Sequence, residues 1–319
     1  MPVDRVPLTV IGGYLGAGKT TLINRLLQQP AGRRIGVIVN DFGSIGIDVR
    51  LLAESPAGRA SDVISLPNGC VCCTIGSGLQ EALAQLVDHD PMPDHVVIEV
   101  SGVADPASAA AWATVPPFEP SGVIVLAAAD AVQTLAGDRY VGDEVVRQLA
   151  GADLVVVTKS DLCAPSATAE VERWIDEVTG GVQRLTAVEG RVPTSILLGV
   201  APGRAEHHDN HHDNHHDDHH HDPEHAVRYT TWAWSSDGAV PRAGLDAFLA
   251  EVPPGVLRLK GIVALSDGAP VVIQRVGRRS HVRPIDVAQH DAACTLTAVG
   301  LREELDPAAL TRLAERFLR

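Results

Sequence analysis

The chain has 319 residues, a formal net charge of −14, and 45% hydrophobic but only 3% aromatic residues. That length allows one sizeable core and a smaller second one, built mainly from Val, Leu, Ile and Ala. The charge argues against nucleic acid or an anionic membrane surface as the main partner, and no apolar run approaches the roughly 20 residues of a membrane span.

An apolar, β-branched run from Val6 to Ile11 leads into GYLGAGKT, Gly13 to Thr20, and Thr21 to Leu27 reads as a helix after it. Successive backbone N–H groups of such a loop point inward and form an anion nest, and the positive end of the following helix dipole adds to that field. Lys19 is placed to reach β- and γ-phosphates as a catalytic cation, and the Thr20 hydroxyl to ligate Mg²⁺. Gly13, Gly16, Ala17, Gly18 and Thr21 complete the expected nucleotide contacts. A nucleoside triphosphate is therefore the predicted ligand. Only Met1 to Arg5 precede the first strand, so the start reads as lacking a signal peptide, and a cytoplasmic location is expected.

Ile35 to Asn40 is the next strand-like run, followed by Asn40-Asp41-Phe42-Gly43 as a first switch. Asp41 reads either as part of a Mg²⁺ or metal shell or as a turn former. After a strand-like Val63 to Leu66 comes Asn68-Gly69-Cys70-Val71-Cys72-Cys73, three thiols within four residues on a glycine turn. In a reducing compartment such cysteines are ligands or reactive thiols before they are disulfides. Thiolates suit Zn²⁺, Cu⁺ and sometimes Co²⁺. Three ligands leave a fourth position open, which a site that hands its metal on requires. Redox chemistry or inert buried thiols are the rival readings. Cys163 and Cys294 are isolated and read as structural.

Leu79 to Val87 has a helical pattern, and Val96 to Val100, Val123 to Leu126 and Leu154 to Thr158 are continuous apolar runs, with Val171 to Val178 helical after them. Such runs fit central strands buried on both faces, and their alternation with helices predicts a parallel sheet wrapped on both sides, an α/β fold. The first of these runs ends in VVIEVSG. Glu99 there would accept from a Mg²⁺-bound water or position the attacking one, and Gly102 would offer an N–H to the γ-phosphate; a strand-end surface acid is the plainer alternative. The last ends in TKSD, Thr158 to Asp161, which after a phosphate loop reads guanine: Asp161 accepts from N1–H and the 2-amino group, and the Lys159 stem lies over the base. Thr158 stands where Asn is commoner, which is expected to weaken one contact. The rival is a strand-ending loop with a Lys–Asp surface pair.

The composition then breaks. His207 to His225 reads HHDNHHDNHHDDHHHDPEH and holds ten of the chain's fourteen histidines; from Arg204 to Ala226 there are seven acids against one arginine. Nothing here can bury an apolar face, so a disordered linker is expected. Its imidazoles at His207, His208, His211, His212, His215, His216, His219, His220 and His221 are candidate ligands for several weakly held ions; a solvated spacer is the rival, and the internal position and HHDN repeat argue against a purification tag. Beyond it, Tyr229 to Trp234, Val256 to Leu265, Val271 to Val276 and Cys294 to Val299 read as strands. Leu245 to Val252 and Ala309 to Leu318 read as helices, the last with Leu310, Leu313 and Phe317 on one face. This predicts a small α+β domain.

GGYLGAGKTTL, NDFGSIGID, NGCVCC, VVIEVSGVADP and TKSD together resemble the CobW-type GTPases, nucleotide-dependent metallochaperones. The resemblance continues into VLRLKG, Val256 to Gly261, similar to the RxKG element of that family's C-terminal domain, and so covers nearly the whole chain. It implies that Cys70, Cys72 and Cys73 bind metal close to the nucleotide and that GTP drives transfer to a client metalloprotein. Many relatives carry Glu where this chain has Asp41 and again where it has Ser44, which puts in question any metal shell those acids complete.

The resulting expectation is a P-loop GTPase domain over 1–203, a His/Asp-rich linker over 204–226 and a C-terminal α+β domain over 227–319. Its cofactors would be GTP, Mg²⁺ and Zn²⁺, with Co²⁺ the alternative, and homo-oligomerisation is left open. Turnover should be slow, since no arginine finger is evident in cis. Two rivals stand beside the zinc chaperone: an activator that loads cobalt or iron, as in cobalamin synthesis or nitrile hydratase maturation, and a non-catalytic metal buffer.

Overall fold

The computed structural model describes residues 5–30, 32–39, 63–65, 71–199, 228–285 and 294–319, with only the backbone described for 63–65 and 71–77. Asp41, Cys70 and the histidines from His207 to His225 lie outside the described residues. The chain forms two compact units, Met1–Leu198 and Gly199–Arg319.

In the first unit, strands β1 (Val6–Gly12), β2 (Ile35–Val39), β3 (Val63–Ser65), β4 (His95–Glu99), β5 (Phe118–Ala128), β6 (Leu154–Thr158) and β7 (Arg184–Ala187) form one sheet in the order β3-β2-β4-β1-β5-β6-β7. Every pairing is parallel. All residues of β1, β2, β4 and β6 are buried, as continuous apolar runs between two helical layers must be. Alternate strand residues such as Leu8, Val10, Ile98, Val125 and Val157 share one core with helices α2 (Val71–Val87), α3 (Pro106–Ala110), α4 (Val132–Ala136), α5 (Gly142–Ala150) and α6 (Pro165–Thr179). Thr9, on the opposite face of β1, donates to the Leu197 carbonyl at 3.3 Å, which places α7 (Thr194–Leu198) on the other side of the sheet. Helix α1 (Lys19–Gln28) buries Leu22, Ile23, Leu26 and Leu27. Helix α6 opens on Pro165 and stops at Gly180, whose φ of 67° ends it in the left-handed conformation.

Two boundaries differ from the sequence reading. Strand β5 starts at Phe118, not Val123, because its pairing with β1 shifts between Leu8 and Thr9. The bulge takes up one extra residue inside the polar lead-in FEPSG, where Glu119 and Ser121 are buried despite their polarity. Helix α2 starts at Val71, not near Leu79, so Cys72 and Cys73 lie in its first turn and not on a glycine turn.

The second unit is a five-stranded antiparallel sheet, ordered β11 (Arg279–Pro284), β10 (Val271–Val276), β9 (Val256–Val263), β12 (Cys294–Leu301), β8 (Tyr229–Ser236). Its helices α8 (Arg242–Glu251) and α9 (Pro307–Phe317) bury Leu245, Phe248, Leu310 and Ala314 against Trp232, Leu259, Ile273 and Leu296. Leu313 and Phe317 are partly buried on the same face, as the spacing predicts. In the VLRLKG element Arg258 is buried, and Gly261 sits opposite Leu296. A Cβ at Gly261 would stand 2.0 Å from the Thr295 carbonyl oxygen, so only glycine fits there.

Candidate nucleotide site

Parallel sheets place their ligands outside the carboxyl ends of the strands, and the described residues of the predicted phosphate loop, Glu99 and the TKSD turn lie at those ends. Strand β1 runs into the loop, and α1 begins at Lys19. Gly13 and Gly18 hold φ of 131° and 94°, in the left-handed region where a Cβ would strain the backbone. Gly13 also passes close to β5: a Cβ there would lie 2.6 Å from the Leu126 carbonyl. Gly16 shares the positive φ, and Ala17 is buried with its N–H donating to the Tyr14 carbonyl at 3.1 Å. Lys19 is 8% exposed, and its Nζ donates to the Gly13 carbonyl at 2.8 Å, so the ammonium folds back over the loop. Thr21 is exposed on the first turn of α1.

The neighbouring strand supplies the acid. Glu99 pairs in register with Ile11 at the end of β4 and is 4% exposed. The Thr20 hydroxyl donates to Glu99 Oε1 at 3.5 Å, bringing the two oxygen donors together beside the loop. Hydroxyl and carboxylate oxygens suit a hard divalent cation such as Mg²⁺. Gly102 follows in the turn after β4, against Leu15 of the loop: a Cβ at Gly102 would lie 2.7 Å from the Leu15 amide nitrogen.

On the other side of β1, β6 delivers TKSD. Thr158 Oγ1 donates to the Ala17 carbonyl at 2.8 Å, so the threonine reaches the phosphate loop directly although it is shorter than asparagine. Lys159 has a φ of 57°, and its Nζ lies 4.0 Å from Asp130, not Asp161. The surface ion pair thus uses a different acid and leaves Asp161 on the exposed turn Ser160–Leu162.

Three features escaped sequence reasoning. Asp130 is one. The second is the segment after β7. Register sets Ala187 beside Thr158, so Glu189 and Gly190 follow next to the TKSD turn. Glu189, with φ 51°, accepts from Arg25 of α1 through both its carbonyl and its carboxylate, the latter at 2.9 Å. The third is Gln148 of α5, buried beneath Gly102. Each makes at least one contact with a residue far off in sequence, and no local pattern marks that contact.

Cys72 and Cys73 belong to a different part of the first unit, the start of α2. The first turn of α2 follows the end of β3, three strand positions from β1, about 14 Å at the usual inter-strand spacing. Among the described residues no group of three or more metal-ligating side chains converges, and no helix is long and apolar enough to cross a membrane.

A glycine loop between β1 and α1, a lysine folded over it, an acid at the end of the adjacent strand and a TKSD turn at the end of another define a P-loop GTPase. Residues 7–186 match the profile of the CobW/HypB/UreG nucleotide-binding domain, and residues 229–318 that of the cobalamin synthesis protein cobW C-terminal domain. The chain belongs to the CobW family of GTPases. It is 32% identical to the zinc chaperone CobW of Pseudomonas aeruginosa, over 96% of this chain and 90% of that one. It is 30% identical to the zinc chaperone YeiR of Escherichia coli, over 90% and 91%. Among solved structures it is similar to the Zn(II)-bound YjiA GTPase from E. coli, at 17% identity and a TM-score of 0.45, over 99% of this chain and 100% of that one.

Proposed function

We propose that the chain is a GTP-driven metallochaperone that takes up Zn²⁺ through Cys70, Cys72 and Cys73 and passes it to a client metalloprotein. The observation that carries this reading is that α2, whose first turn holds Cys72 and Cys73, follows β3 of the same parallel sheet that leads into the phosphate loop. Relatives aligned over nine-tenths of the chain are named zinc chaperones, which supports zinc as the cargo. Reduced thiols are needed, so the protein would act in the cytoplasm.

In this reading the loop N–H groups and Lys19 hold the β- and γ-phosphates, and Asp161 and Lys159 hold guanine. Thr20 and Glu99 would hold Mg²⁺, which supplies charge neutralisation between the phosphates when bound. Glu99 orients the attacking water, and Gly102 donates its N–H to the γ-phosphate. The order of Asp41 to Asp48 would then report which nucleotide is bound, and the Pro67 to Cys73 connection would pass that to the thiols. The His/Asp-rich segment over 204–226, between domains over 1–203 and 227–319, would supply a separate, weaker set of metal ligands.

Zinc titration against a competing chelator, with and without a non-hydrolysable GTP analogue, tests the reading. Replacing Cys70, Cys72 and Cys73 by Ser should remove the tightest ion and its response to nucleotide. Deleting His207 to His225 should lower the number of ions bound and keep the tightest. A triple Ser variant that retains the tightest zinc and its nucleotide response overturns the proposal.

A further inference from the structure

We propose that Gln148 is a positioning residue for GTP hydrolysis: its side-chain amide sets the turn that carries Gly102 against the γ-phosphate and passes the state of that turn to α5. The inference rests on the reading of Gly102 as a γ-phosphate contact.

After β4 the chain closes a tight turn, in which the Ala104 N–H donates to the Ser101 carbonyl at 3.0 Å. On one side the turn abuts the phosphate loop, since a Cβ on Gly102 would come within 2.6 Å of the Leu15 side chain. On its other side it meets Gln148. This residue is 1% exposed, and its Nε2 lies 3.1 Å from the Gly102 carbonyl, 3.1 Å from the Ala104 carbonyl and 3.0 Å from Glu144 Oε1. Three surrounding acceptors fix the orientation of the amide, because Oε1 in that place would face three oxygens. Burying an amide among apolar neighbours costs free energy unless it is hydrogen-bonded. Val145 and Leu149, the flanking residues of α5, belong to the apolar core, and Gln148 Oε1 is buried without a hydrogen-bond partner among the described residues, so the contacts at Nε2 alone offset the cost of placing an amide there. The amide is therefore explained by the turn it holds and not by packing.

The count of protons matters. An amide NH₂ has two, and here it has three acceptors. The third, Glu144, also forms an ion pair with Arg147 on the outside of α5. If the turn moves toward a γ-phosphate and one carbonyl leaves, both amide protons keep an acceptor. The turn can thus exchange between two positions without stranding a buried donor, and α5 senses which one it occupies. Gln148 also lines, with Tyr14, Leu15 and Val145, a cavity of about 20 Å³.

The test uses the full chain with Mg²⁺. Wild type and Lys19→Ala are first compared for GTP binding, which checks the phosphate-loop reading by itself. Gln148→Met keeps the volume and removes the donors. It should weaken a non-hydrolysable GTP analogue and slow single-turnover hydrolysis by about tenfold, the scale of one or two neutral hydrogen bonds, with GDP affinity within about twofold. A purely structural role would weaken GDP and the analogue together, and that result, or an unchanged ratio, overturns the proposal. Wild-type protein gives a second readout that needs no variant. The Gln148 side-chain NH₂ resonances should shift between the GDP and analogue complexes, and identical resonances in both would also overturn it.

Discussion

The two sheets bury their strands in opposite ways. In the parallel sheet of the first unit, β1, β2, β4 and β6 are buried along their whole length. Their interiors serve mainly packing, and Lys19, Glu99 and the TKSD turn sit at or just beyond the carboxyl ends. In the antiparallel sheet of the second unit α8 and α9 cover one face, and exposed residues alternate with buried ones, as in Thr231, Trp232 and Ala233 of β8. Polar side chains there are spread along the strands. The first architecture concentrates chemistry at one edge, and the second distributes it over a surface. Substitutions should therefore separate into local effects on turnover and local effects on the stability of one unit.

Lys19→Ala would break that comparison most sharply. Removing the cation folded over the loop should lower GTP turnover by about 1,000-fold or more in a single-turnover assay, with circular dichroism unchanged. Wild-type turnover in this variant would mean the activity belongs elsewhere. Next comes Phe248→Ala in the second unit. The residue is fully buried between α8 and the sheet, so its loss should cost about 3–5 kcal/mol of that unit's stability by denaturant unfolding. GTP turnover well below the transition should stay unchanged, and a matching fall would show that the two units do not act separately. Asp161→Asn is the mildest. Trading a carboxylate acceptor for an amide should lower the preference for GTP over ATP by about 10- to 100-fold, measured by calorimetry; equal preference in the two proteins would remove TKSD from base recognition.

Much of the first unit was legible because its signals are local. Strands β1, β2, β4 and β6 end within a residue or so of the apolar runs that predict them, since a strand buried on both faces has few polar interruptions, as at Thr9 of β1. Where polar residues enter a strand the reading shortens it, as at FEPSG in β5, or misses it, as with Arg279–Pro284 at the sheet edge. The sequence reading starts α2 at Leu79 and leaves Cys72 and Cys73 on a glycine turn; the helix begins at Val71 and runs through Gly76 and Gly78, although glycine weakens helix propensity. At the site, the loop, Glu99 and TKSD are contiguous motifs. Gln148 and the Arg25–Glu189 contact join residues 46 and 164 positions apart, and only the folded sheet brings them together.

The Thr158 hydroxyl bound to the Ala17 carbonyl has a consequence for how a ligand is measured. It ties the turn proposed to take the base to the loop proposed to take the phosphates, so the two sub-sites stand at a set separation. Once one end of a nucleotide is seated, the other meets its sub-site at a high effective concentration and loses little further freedom. Guanosine alone and pyrophosphate alone would each bind far more weakly than half the free energy of the whole suggests. The pocket would act as a gauge for ligands that carry both ends at that spacing.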